Sequence, residues 1–206
     1  MYKRFSELIS LVFQPLLMPS LIFAFLLFGL PDSVMLKSGN QGLVFFVIVA
    51  NTFIIPLGIL MTMRFTKVIP SLRMEDRRER IFPFSIISLL YMITAYSFYI
   101  KDWIDYKLIF ALFIITICLI LLTAISFFWK ISAHMIGVGG LLGIILAYSM
   151  NIQNHNFLYY TLAAILLSGV IGTSRLHLNA HTALEVLAGF LLGFGVCFGS
   201  SLMIWA

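Results

Sequence analysis

Long uninterrupted apolar runs restrict this chain more than any other feature. A helix that crosses the roughly 30 Å hydrocarbon core of a bilayer needs about 20 apolar residues. Seven segments approach or reach that length: Leu8 to Leu30, Gly42 to Met63, Ile81 to Ile100, Leu108 to Trp129, His134 to Met150, Phe157 to Thr173, and Thr182 to the C-terminus. The runs lack the alternation of lipid-facing and lumen-facing residues that a membrane barrel imposes, so helices are expected. Only 10% of the residues are charged and 62% are hydrophobic, whereas about a quarter of an average soluble domain is charged. The expected fold is all-α, a polytopic transmembrane helical bundle of about six to seven membrane helices forming a single domain over residues 1–206.

The first run is longer than a typical signal-peptide core and no small-residue cleavage pattern follows it, so it is expected to be retained as a span. Cys118 and Cys197 fall inside apolar runs. A buried thiol there acts as a small hydrophobe, and no disulfide is inferred.

The formal net charge of +5 does not point to nucleic acid, because the basic residues form no single patch interleaved with aromatics. They sit between the runs. Seven crossings place Lys3, Arg4, Arg64, Lys67, Arg73, Arg77, Arg78, Arg80, Lys130 and Arg175 on the face of the N-terminus, and Lys37, Lys101 and Lys107 on the other. An excess of Lys and Arg in short loops marks the cytoplasmic side. The segment Arg73 to Arg80 also contains Glu75, Asp76 and Glu79, a mixture that orientation alone does not require.

Ionisable residues at the edges of membrane runs are functional candidates by default, and four intervals of them fall on one face: Arg73 to Arg80, Lys130 to His134, Arg175 to His181, and Glu185 near the start of the last run. Four residues separate His181 from Glu185, so on a helix the carboxylate can reach the imidazole. A carboxylate on one ring nitrogen fixes the tautomer and leaves the other nitrogen as a nucleophile. The same pair equally describes a capped helix with a buried polar contact. Arg175 adds a guanidinium able to grip phosphate oxygens in a bidentate fork. In Lys130-Ile131-Ser132-Ala133-His134, Ser132 can donate a hydrogen bond, the N–H groups at a helix start can bind an anion, and His134 can protonate a leaving oxygen. Gly137, Gly139 and Gly140, like Gly189 and Gly193, read as helix-packing positions, since no Lys-Ser or Lys-Thr pair follows them as in a phosphate loop.

These residues resemble the type 2 phosphatidic acid phosphatase superfamily, membrane lipid phosphatases related to vanadium haloperoxidases. Ser174-Arg175, five residues, His181, three residues and Glu185 match the family's Ser-Arg, five residues, His, three residues, Asp, with the last acid exchanged. Ile131-Ser132-Ala133-His134 resembles Pro-Ser-Gly-His with Ser and His kept. Arg73, six residues and Arg80, with Pro83 displaced by two, approximates Lys, six residues, Arg-Pro, and Arg77 is an alternative first-motif residue. The three motifs occur in family order from Arg73 to the C-terminus, but two apolar runs separate the first from the second here, where the family has one loop.

The resemblance implies an integral membrane hydrolase for a lipid phosphomonoester or diphosphate, of isoprenyl diphosphate, phosphatidylglycerophosphate or phosphatidate type. It would work through a phosphohistidine and without metal or cofactor. In that scheme His181 attacks phosphorus, Glu185 orients it and His134 protonates the leaving oxygen, while Arg73, Arg80, Ser132, Ser174 and Arg175 hold phosphate oxygens. The implied partners are the lipid phosphate and the surrounding membrane lipids, and the implied location is a bacterial inner membrane. Bacterial relatives of the family act on its outer side, whereas the charge pattern turns the site to the cytoplasm. Two other functions fit the same residues: a lipid phosphotransferase, and a non-catalytic transporter or assembly factor that keeps an anion site.

Overall fold

The structure is a computed structural model and describes residues 2–29, 40–72, 74, 76–151 and 156–205. All regular elements among these residues are helices, and six of them are long and apolar enough to cross a membrane: Gln41–Phe65, Arg78–Lys101, Tyr106–Ser126, Ala133–Asn151, Phe157–His177 and Ala183–Ile204. The protein is therefore a polytopic helical membrane protein.

The first apolar run does not form a straight span. It breaks into α1 (Tyr2–Val12) and α2 (Leu17–Ala24, continued as a π-helical turn through Gly29), which are bent by 66°. Pro15 lies in the break, where it supplies no N–H to the helix ladder. Hydropathy registers the run from Leu8 to Leu30 but not the interruption. Two other boundaries shift from the sequence expectation. The fourth span ends at Ser126 rather than Trp129, and the sixth continues past Thr173 to His177, which carries Ser174 and Arg175 into a helix.

Close packing divides the chain into two compact units, Met1–Met18 with Lys130–Ala206, and Pro19–Trp129. The second unit contains α3 (Gln41–Val49), α4 (Ile55–Phe65), α5 (Ile81–Lys101) and α6 (Tyr106–Ser126). α3 and α4 form one helix joined by a π-helical turn at Ala50–Ile54, just before Pro56. Pro56 cannot donate to the carbonyl of Thr52 four residues earlier. That buried acceptor receives the Tyr91 hydroxyl instead, at 2.6 Å, so the backbone account closes across two helices. Asp105 caps α6 by accepting from the Lys107 N–H at 2.8 Å.

The first unit contains α1, α7 (Ala133–Asn151), α8 (Asn156–His177) and α9 (Ala183–Trp205). α7 is its most buried helix, with Val138 and Ala147 fully enclosed. α7 and α9 approach closely enough that glycine is required on both. A Cβ on Gly189 would lie 2.6 Å from the carbonyl oxygen of Ser132 and one on Gly143 2.8 Å from that of Phe194, while one on Gly193 would overlap the carbonyl of Ile136. Small residues that let backbones meet are a principal way to join helices in lipid, where apolar burial between helices gains little over contact with acyl chains. The expected packing role of these glycines is thus visible at Gly189 and Gly193. It has a consequence for position: the start of α9 is locked to the start of α7.

Candidate functional site

α8 ends in a turn that brings the chain back into α9. Asn179 takes a left-handed conformation, φ 50°, and the Ala180 N–H bonds the carbonyl of Arg175 at 3.2 Å. Asn tolerates this conformation at a helix end better than most residues. The turn delivers His181, 7% exposed, to the mouth of α9.

α9 begins with a capping box. The Glu185 carboxylate accepts from the Thr182 N–H at 3.0 Å, and the Thr182 hydroxyl accepts from the Glu185 N–H at 3.4 Å. The same carboxylate oxygen, Oε2, lies 3.2 Å from His181 Nδ1. Nδ1 is also 3.1 Å from the backbone carbonyl of Lys130. A carbonyl oxygen can only accept, so Nδ1 carries the proton, and in neutral imidazole the ring lone pair then resides on Nε2. The helix cap and the oriented histidine, alternatives in the sequence, coexist here because one oxygen serves both.

The second motif lies alongside. The Ser132 N–H donates to the carbonyl of Glu185 at 3.2 Å, and the Ser132 carbonyl accepts from the Ile136 N–H at 3.1 Å as α7 begins. That N–H, expected to face an anion, is therefore committed to α9. Serine at this position ordinarily turns its hydroxyl back to cap the helix. Here the side chain is wholly buried and its hydroxyl has no hydrogen-bond partner among the described residues, a state that costs about 1–3 kcal/mol if nothing fills it.

His134 and Arg175 meet a residue that the motifs do not contain. His134 Nε2 is 3.1 Å from the backbone carbonyl of Ser10, so Nε2 donates. Nη1 of Arg175 donates to the Ser10 hydroxyl at 3.1 Å. Ser6 and Ser10 lie four residues apart on α1, a polar pair on one helix face and the only sequence trace of this contact. Lys130 contributes through its backbone carbonyl, which no side-chain pattern could reveal.

Of the other expected site residues, Ser174 and Arg80 are engaged within their own units, and one is not described. The hydroxyl of Ser174 donates to its own helix at the carbonyl of Val170, 2.7 Å away. Arg73 lies outside the described residues. Arg80, buried in the second unit, uses Nε to bond the Met74 carbonyl at 3.0 Å, and Arg77 of that unit donates to the Phe127 carbonyl. The Arg78 N–H bonds the Asp76 carboxylate at 2.9 Å. Among the described residues no three His, Cys, Asp or Glu side chains gather as a metal-ligand set.

The first unit thus holds two hydrogen-bonded groups at neighbouring positions of the chain: Ser10 with His134 and Arg175, and Glu185 with His181 and the Ser132 backbone, the second containing an imidazole held in one tautomer. A scan of protein-family models, a search of curated proteins and a search of solved structures each return no match to the chain.

Proposed function

We propose that the protein hydrolyses the phosphate of a membrane lipid through a phosphohistidine, using residues of the first unit. The observation that carries this reading is the double anchoring of His181 Nδ1 by the Lys130 carbonyl and the Glu185 carboxylate, which puts the nucleophilic lone pair on Nε2. Nε2 attacks phosphorus as the bond to the lipid oxygen breaks, and His134 supplies a proton to that oxygen. Since its Nε2–H is directed to the Ser10 carbonyl, His134 delivers the proton from Nδ1 and is an imidazolium beforehand. Water then attacks phosphorus and gives a proton to Nδ1 of the now neutral His134, restoring the imidazolium, while the P–N bond to His181 Nε2 breaks and inorganic phosphate leaves. Arg175 and the Ser132 hydroxyl hold the equatorial oxygens, and the negative charge they stabilise is the main electrostatic demand of phosphoryl transfer. The unfilled hydroxyl of Ser132 supports such a ligand, because a phosphoryl oxygen would accept its hydrogen bond.

The membrane lipid supplies both substrate and surroundings: its tail stays among acyl chains while its phosphate reaches the helix ends. The excess of Lys and Arg that seven crossings put on the side of the site supports a site facing the cytoplasm, and the family resemblance supports a bacterial inner membrane. A phosphatase assay with a short-chain phosphatidate or phosphatidylglycerophosphate that does not cross membranes tests both statements. Phosphate release is expected in inverted inner-membrane vesicles but not in intact spheroplasts, and His181→Ala abolishes it. Release from spheroplasts alone reverses the topology, and equal release by His181→Ala removes the mechanism.

A further inference from the structure

α1 has eleven residues, about 16 Å of helix, which is half of what a bilayer core requires. Its C-terminal half is nonetheless anchored. Ser10 is tied to Arg175, in the last turn of the spanning helix α8, and to His134, in the first turn of the spanning helix α7. Both turns are ends of helices long enough to span a bilayer, so Ser10, near the C-terminal end of α1, lies at boundary level.

The two faces of α1 differ in kind. Ser6 is buried and Ser10 half-buried, turned toward the protein. Tyr2, Phe5, Leu8 and Leu11, which recur every three residues, are 80%, 58%, 55% and 69% exposed. Four large apolar side chains at that spacing form a continuous stripe, and Lys3 and Arg4 are exposed beside its first turn. This is the composition of a helix that lies in the interface with its apolar face about 5–10 Å into the headgroup and acyl boundary. Basic residues at that depth select anionic headgroups.

We infer that α1 is an interfacial helix docked on anionic lipid of the leaflet that borders the candidate site, with its polar face holding Arg175 and His134 through Ser10. The inference does not depend on the phosphatase reading.

The test uses the full chain with Cys118→Ala and Cys197→Ala, carrying Phe5→Cys labelled with an environment-sensitive fluorophore. It is reconstituted in vesicles of phosphatidylcholine with or without phosphatidylglycerol. With phosphatidylglycerol present, lipids brominated near the top of the acyl chain should quench the label more than lipids brominated near its end. Leu11→Cys, at the other end of the stripe, should report the same depth. Lys3→Gln with Arg4→Gln should raise access of the neutral aqueous quencher acrylamide severalfold and remove the effect of phosphatidylglycerol, since each basic residue favours the anionic surface by about fivefold. Strongest quenching by bromines at the chain ends would overturn the inference by placing α1 in the membrane core. Full acrylamide access in both vesicle types, without quenching by any brominated lipid, would equally overturn it.

Discussion

The hydroxyls of α5 and α6 in the second unit and the ionisable side chains of the first unit find their partners in different ways. In the second unit, Ser85, Ser88, Thr94, Thr116, Thr123 and Ser126 each donate to the carbonyl four residues back in their own helix. Such bonds satisfy a hydroxyl in lipid without asking anything of the neighbouring helix. In the first unit, His134 and Arg175 bond Ser10, and His181 bonds Lys130, across 124, 165 and 51 residues of chain. Contacts at that range exist only when the helices carrying them are correctly packed. A polar residue in a membrane helix is therefore informative about function less by its presence than by whether its own backbone satisfies it.

That contrast predicts a graded set of effects. Glu185→Leu should lower phosphate release by at least about a hundredfold, as loss of the acid that orients a catalytic histidine does elsewhere. Glu185→Asp should retain measurable turnover, because a carboxylate remains even though its reach is shorter. Comparable activity in the Leu and Glu proteins would reduce Glu185 to a helix cap.

Next in size is the α7–α9 crossing. Gly193→Ala should destabilise the protein by about 1–3 kcal/mol in reversible unfolding in detergent, since its methyl group meets the Ile136 carbonyl and backbone must move. Gly195→Ala, where nothing lies within 4 Å of the added carbon, is the control and should be nearly silent. If both variants unfold alike, the helix crossing is looser than described.

The smallest effect belongs to the second unit. Thr116→Val removes a bond to the Leu112 carbonyl and should change stability by less than about 1 kcal/mol, in line with measured hydrogen bonds in membranes, with phosphate release unchanged. A larger loss would show that the hydroxyls of this unit also support a longer-range network.

Much of this architecture is legible in the sequence because lipid simplifies the problem: apolar length alone locates the spans, and Gly189 and Gly193 announce close packing. The spacing of His181 and Glu185 likewise transfers directly to a helix start. What hydropathy cannot register is direction. Pro15 lies where one apolar run breaks into α1 and α2, and α1 carries Ser10, which no motif contains. Nor does residue identity reveal which donor is occupied. Ser174 matches a motif yet bonds Val170, whereas Ser132, equally ordinary in sequence, has a buried hydroxyl without a partner among the described residues. The His181 tautomer rests on a backbone carbonyl, to which the identity of Lys130 is immaterial.

The central claim is that His181 Nε2 becomes covalently bonded to phosphorus. Rapid mixing of the purified protein with a lipid phosphate, alkaline quenching and mass spectrometry of the peptide containing His181 test it directly. During turnover an acid-labile, alkali-stable phosphoryl group should appear on His181 and be absent in His181→Ala, which releases no phosphate. Steady release with the phosphoryl group on another residue, or with His181→Ala turning over at the wild-type rate, would contradict the account.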